Sequence, residues 1–165
     1  MVASVTYKIK RKDNLRLVKN IVNEDEKVKV GILHNPAMAA LGELQHNGGS
    51  GVYYYGPYKG ESVSIPARPF IQAPVNNFAP DIIRRVLDDT DFSETGFKNA
   101  KERIGNWLKA KILEYFDNAE LGKTLNPTAN GDGGNSGRTI ATKGFDHPLF
   151  DKGNLRNSIS YEVGK

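Results

Sequence analysis

Apolar and polar residues alternate along three short stretches of this chain and recur every three or four positions along four others. Val5, Tyr7 and Ile9 alternate with Thr6, Lys8 and Lys10, the period of a strand with one buried face. Leu15, Leu17, Val18, Ile21 and Val22 follow at helix-like spacing, before an acidic turn, Asn23-Glu24-Asp25-Glu26. A second alternating run, Val28 to Ile32, ends at His34-Asn35-Pro36, where proline is suited to begin a helix. Residues 37–46 then read as a short helix with Met38, Leu41 and Leu44 on one side.

Further on, Phe78, Ile82, Ile83, Val86 and Leu87 give residues 76–87 an amphipathic helical pattern with Pro80 in its first turn. The longest periodic segment runs from Glu94 to Phe116. It places Phe97, Ala100, Ile104, Trp107, Leu108, Ile112, Tyr115 and Phe116 on one face, with Ser93 or Thr95 as candidate N-cap. At ~1.5 Å per residue it would be about 35 Å long, the main packing slab of the domain. The chain closes on a third alternating run, Ile159, Tyr161 and Val163. Two early strands, a terminal strand and intervening helices predict an α+β fold, a mostly antiparallel sheet packed against the long helix.

Two segments break the periodicity. Residues 46–61 combine glycines with Tyr53, Tyr54, Tyr55 and Tyr58, large amphipathic side chains favoured at interfaces. They form either a hairpin whose tyrosines cover the protein's own core or, the preferred expectation, a protruding arm that packs on an adjacent subunit. Residues 122–138 are rich in glycine and asparagine and read as a flexible loop that becomes ordered on assembly.

Composition narrows the class. The 165 residues suit one domain with a real core, residues 1–165, and the 38% hydrophobic and 25% charged content is that of a soluble protein. No apolar run approaches the ~18 residues of a membrane span, and Met1-Val2-Ala3-Ser4-Val5 lacks a signal pattern, so a cytoplasmic start is expected. The absence of cysteine excludes disulfides, thiolate metal sites and cysteine nucleophiles. A net charge of +4, with a basic stretch at Lys8-Ile9-Lys10-Arg11-Lys12, suits a wall that tolerates passing DNA better than a dedicated nucleic-acid binder.

Little in the sequence points to catalysis. His34, His46 and His147 are scattered, without a His-x-x-x-His spacing that would favour a metal site with Glu43 or Asp146. Asp151 and Ser158 lie near His147, but no nucleophile elbow frames the serine. The glycine-rich run from Gly131 to Arg138 lacks the Gly-Lys-Ser/Thr ending of a phosphate loop and the spaced acids of a calcium loop. No cofactor is expected.

Two proline-anchored segments carry the strongest signal. Ile65-Pro66-Ala67-Arg68-Pro69-Phe70 fixes an extended backbone with one cationic arm and one apolar plug, because proline restricts both itself and the residue before it. The second is His147-Pro148-Leu149-Phe150-Asp151-Lys152-Gly153-Asn154-Leu155-Arg156-Asn157-Ser158-Ile159. Arg68 and Phe70 are the expected anchors on a neighbouring protein, with a planar guanidinium better suited than lysine to grip a carboxylate. Leu149 and Phe150 would plug an apolar pocket, internal or between subunits.

In collinear order, the Val30-Gly31-Ile32 strand end, the Ala39–Gly48 helix, Ile65–Phe70, the long helix, Thr139-Ile140 with Lys143, and Pro148–Ile159 resemble a phage family. They are similar to the head–tail joining and tail-completion (neck) proteins of tailed bacteriophages, as in HK97-type siphophages and the virion-morphogenesis proteins of Mu and P2. The match spans roughly positions 28 to 163. The chain departs from the family at Gln45-His46-Asn47-Gly48, often His-Glu-Phe-Gly, and at Asp151-Lys152-Gly153, often Asp-Thr-Gly. The resemblance implies a non-enzymatic virion protein that forms a homo-oligomeric ring, a hexamer or dodecamer, around the DNA channel of the neck. Its implied partners are portal, adaptor or connector proteins, tail terminator or tail tube proteins, and non-specifically the passing DNA, with no membrane. A tail terminator capping the tube, and a nucleic-acid-binding accessory protein, are the alternatives.

Overall fold

The computed structural model describes residues 2–5, 27–52, 58–91 and 93–164. The expected strand positions Tyr7 and Ile9, the helix-like run Leu15 to Val22, the basic stretch Lys8 to Lys12, and Tyr53, Tyr54 and Tyr55 lie outside the described residues.

The fold is α+β. Strand β1 (Val2–Val5) pairs antiparallel with β2 (Lys27–Ile32), and β2 pairs antiparallel with β5 (Ile159–Gly164), so β2 is the centre of a three-stranded sheet. The register sets Val28 opposite Val163, Val30 opposite Tyr161 and Ile32 opposite Ile159. Val28, Val30 and Ile32 share one face by the two-residue period of a strand, and all three are buried. Two further strands, β3 (Gly49–Val52) and β4 (Ser62–Ile65), form a separate antiparallel pair.

The sheet's buried face is covered by α3 (Glu94–Asp117), which packs alongside α2 (Gln72–Asp88). Ser93 caps α3 by accepting the Gly96 backbone N–H at 3.0 Å. Ala100, Ile104, Leu108, Ile112 and Phe116 then follow at helical spacing, and each is at most 1% exposed. Gly105 lets α3 lie close to the sheet, because a side chain there would run into the Tyr161 ring.

Several expectations shift in informative ways. Helix α2 begins at Gln72, earlier than expected, because the Ala73 and Val75 amides bond the Pro69 and Ile71 carbonyls as soon as the chain leaves Phe70. Pro74 occupies the first turn, where its missing N–H costs nothing, and Pro80 sits inside the helix on an exposed position. Trp107, assigned to the buried face of α3, is 38% exposed.

Helix α1 (Pro36–Asn47) turns a different face inward from the one its leucines suggested. Asn35 caps it through the Met38 amide at 3.1 Å, but the buried positions are Gly42 and His46. Leu41 and Leu44 are 40% and 38% exposed. Close approach decides this. A Cβ on Gly42 would sit 2.5 Å from Ile32 Cδ1, so the glycine side of the helix alone can rest on the end of β2.

The segment expected as a flexible loop over 122–138 is structured. It enters α4 (Ala119–Thr124), makes a 3-10 turn at Ala129–Gly131, and starts α5 (Gly137–Lys143), followed later by the short α6 (Asn154–Asn157). Asn118 and Ser136 cap α4 and α5 with their side-chain oxygens. Local caps of this kind, and the contacts described next, replace the apolar periodicity that would have announced these helices.

Candidate functional site: the Arg68 clasp and the exposed hairpin

The Ile65–Phe70 segment carries the chain from β4 to α2, and its fixed backbone turns Arg68 and Phe70 into the molecule. Arg68 is 4% exposed and Phe70 fully buried. The Arg68 amide donates to the Gln45 carbonyl of α1 at 2.9 Å. Its Nη2 donates to the Gly133 and Gly134 carbonyls at 3.1 and 2.7 Å. The Ala67 carbonyl accepts Asn126 Nδ2 at 3.0 Å, a second tie to the same region. The expected cationic arm for a neighbouring subunit is therefore an internal clasp. It satisfies carbonyls that glycine-rich turns leave without a helix or sheet partner.

The geometry of the clasp requires its glycines. Gly133 has φ 82°, and a side chain there would strike the Lys123 carbonyl. At Gly134 an added Cβ would lie 2.5 Å from Asp146 Oδ2. That carboxylate accepts the Asn135 amide at 2.7 Å and pairs with Lys123 at 3.2 Å; together they hold its pKa below the usual aspartate value. Burial draws the Arg68 pKa below the ordinary arginine value, and the nearby Asp146 charge works in the opposite direction.

Phe70 is the apolar counterpart. Its ring meets His46 edge-on at 5.4 Å and Phe116 at 5.1 Å, joining α1 and α3 to the segment that enters α2. Burial lowers the His46 pKa, and its Nδ1 has no hydrogen-bond partner among the described residues. His46 thus behaves as a neutral core ring. Glu43 stands three residues before it but is exposed, so the two do not converge.

Leu149 and Phe150 are half-buried. Leu149 packs against the core with φ 65°, a left-handed conformation that branched side chains seldom adopt. Phe150 stacks on His147 at 5.2 Å. Both line a groove of about 320 Å³ shared with Met38, Leu41, Gln45 and Lys143. Thr139, Ile140 and Lys143 are all on α5, where Lys143 Nζ donates to the His147 carbonyl at 2.8 Å. Gly153, at φ 80°, turns the chain into α6, and Arg156 on that helix grips Asp117 at the end of α3 at 2.5 and 2.7 Å.

Exposed features lie elsewhere. Tyr58, at the near end of the β3–β4 hairpin, is 37% exposed beneath the Arg138 guanidinium at 4.1 Å. Arg138 also bridges Glu61 at 2.6 Å, which links α5 to the hairpin. The chain of contacts thus runs from Arg68 through Gly133 and Gly134 to α5, and from Arg138 to the hairpin. Sequence reading missed Arg138; a lone arginine in a glycine-rich stretch gave no signal of its two distant partners.

Among the described residues no group of three or more His, Asp or Glu side chains is placed to hold a metal ion. His34 pairs with Glu162, and Ser158 Oγ donates to the Leu155 carbonyl at 2.7 Å, a local helix-end bond. No described helix is long and apolar enough to cross a membrane. No family model, curated protein or solved structure matches this chain.

Proposed function

We propose that this chain is a structural protein of a tailed-phage neck, assembling as a ring around the DNA channel to join the filled head to the tail. The observation that carries the reading is the contrast between a body closed on itself and a hairpin with no buried strand residue. Such an element suits contact with another molecule, not packing within this one. The order of the short motifs along the chain supports the same reading, as does the exposed Leu41 and Leu44 stripe of α1. Ring partners would be further copies, a hexamer or dodecamer, with portal-side and tail-side proteins on the two faces and DNA passing unspecifically.

The test is electron microscopy of lysates from a phage whose copy of this gene is interrupted. Filled heads beside separate tails of normal length are the expected result. Overlong tails would make the protein a tail terminator instead, and intact infectious virions would overturn the neck assignment.

A further inference from the structure

The β3–β4 hairpin is the described element with least support from within the chain. Six of its eight strand residues are exposed, two are half-buried and none is buried. Each strand has the other as its main neighbour. An isolated two-stranded hairpin is marginal in water, and a third strand or a buried face is what normally stabilises it. Its edges also lack the devices that deter further pairing, since Gly-Ser-Gly-Val and Ser-Val-Ser-Ile contain no charge and no proline.

The three-stranded sheet offers the complementary feature. Among the described residues β1 and β5 are its two edges, and β5 offers six residues, Ile159–Gly164. β5 packs against β2 on one side and under α3, and among the described residues no strand pairs with its other edge. It carries one charged residue, Glu162, whose Oε1 lies 3.2 Å from His34 Nε2.

We infer that the hairpin of one copy adds to the outer edge of β5 in a neighbouring copy, extending the order β1-β2-β5 by two strands across the subunit boundary. Backbone bonds supply the affinity in such strand addition. Hairpin and β5 edge are different surfaces, so the contact is head-to-tail and propagates into a ring when the rotation closes. The inference rests on the ring reading above and names the contact that builds the ring.

The absence of native cysteine makes a clean test possible. Single cysteines are placed at Ser50, Gly51, Val63 or Ser64, covering both hairpin strands and both faces, and at Glu162 in β5. Each hairpin variant of the full chain is mixed with Glu162→Cys and oxidised. At least one mixture is expected to give disulfide-linked heterodimers several-fold above the homodimer background of either variant alone, since bridging needs Cα atoms within about 7 Å. If native mass spectrometry detects rings but no mixture gives heterodimers, or links form only between hairpins, the strand-addition inference is overturned while the ring reading stands. A chain that stays monomeric at every concentration overturns both.

Discussion

The Arg68–Phe70 clasp and the β3–β4 hairpin are neighbours in sequence and opposites in physics. The clasp takes residue types common at interfaces, an arginine and a phenylalanine framed by prolines, and turns both inward. The strands of the hairpin are built of small and β-branched residues, and they are the part left exposed. A motif's residue types therefore report the kind of contact it makes, not whether the partner is the same chain. Burial decides that, and here it assigns Arg68 to the glycine-rich turns and leaves the hairpin strands without a buried residue.

The comparison breaks if the clasp can be removed without cost. Phe70→Ala is the most damaging change, expected to lower stability in urea by about 3–5 kcal/mol, because the cavity opens between α1 and α3 in the core. Arg68→Ala follows at about 3 kcal/mol, from the lost charged hydrogen bonds and the buried Gly133 carbonyl left without its donor, while the Gly134 carbonyl keeps Asn130 Nδ2. Arg68→Lys should recover less than half of that, since one ammonium does not reproduce the guanidinium fork. Wild-type stability in Arg68→Ala would mean that the turns hold themselves.

Gly105→Ala sharpens the same point within the body. Alanine favours the helix by roughly 1 kcal/mol, yet its methyl must displace the Tyr161 ring, and overpacking of this kind costs about 1–3 kcal/mol. The expected net effect is destabilising by about 1 kcal/mol in thermal or denaturant unfolding.

His46 adds a pH dependence to the clasp side. Burial depresses its folded-state pKa below the ordinary 6.5, so below that pH the unfolded chain binds a proton that the folded chain refuses. Its contribution to stability is therefore intact above pH 6.5 and declines as pH falls from there towards the folded value. His46→Leu should flatten this part of the stability profile, measured by urea titration at stepped pH. An unchanged slope would show that His46 takes up its proton equally in the folded and unfolded chain.

On the hairpin side the smallest effect is expected. Val52→Ser, at a residue 45% exposed, should move monomer stability by less than about 0.5 kcal/mol. A larger loss would show that the hairpin packs on its own body after all.

Periodicity alone determined most of the framework: the long helix, with Ser93 or Thr95 as its cap, the helix opened by Asn35-Pro36, and strands over 28–32 and 159–163. The long helix and the 28–32 strand bury one face along their length, so their residues must repeat at the period of the backbone. The α+β class follows from their order. Tertiary structure decided where the apolar faces point and where the isolated polar residues go. Gly42 and Gly105 set helix-to-sheet distances that no hydrophobic pattern encodes, and that is why Leu41, Leu44 and Trp107 remain at the surface. The turns around Gly133 and Gly134 are ordered by an arginine 65 and 66 positions away, a contact without a local signature. Long-range contacts of this kind follow from the packing of the whole chain, and no window of sequence contains both partners.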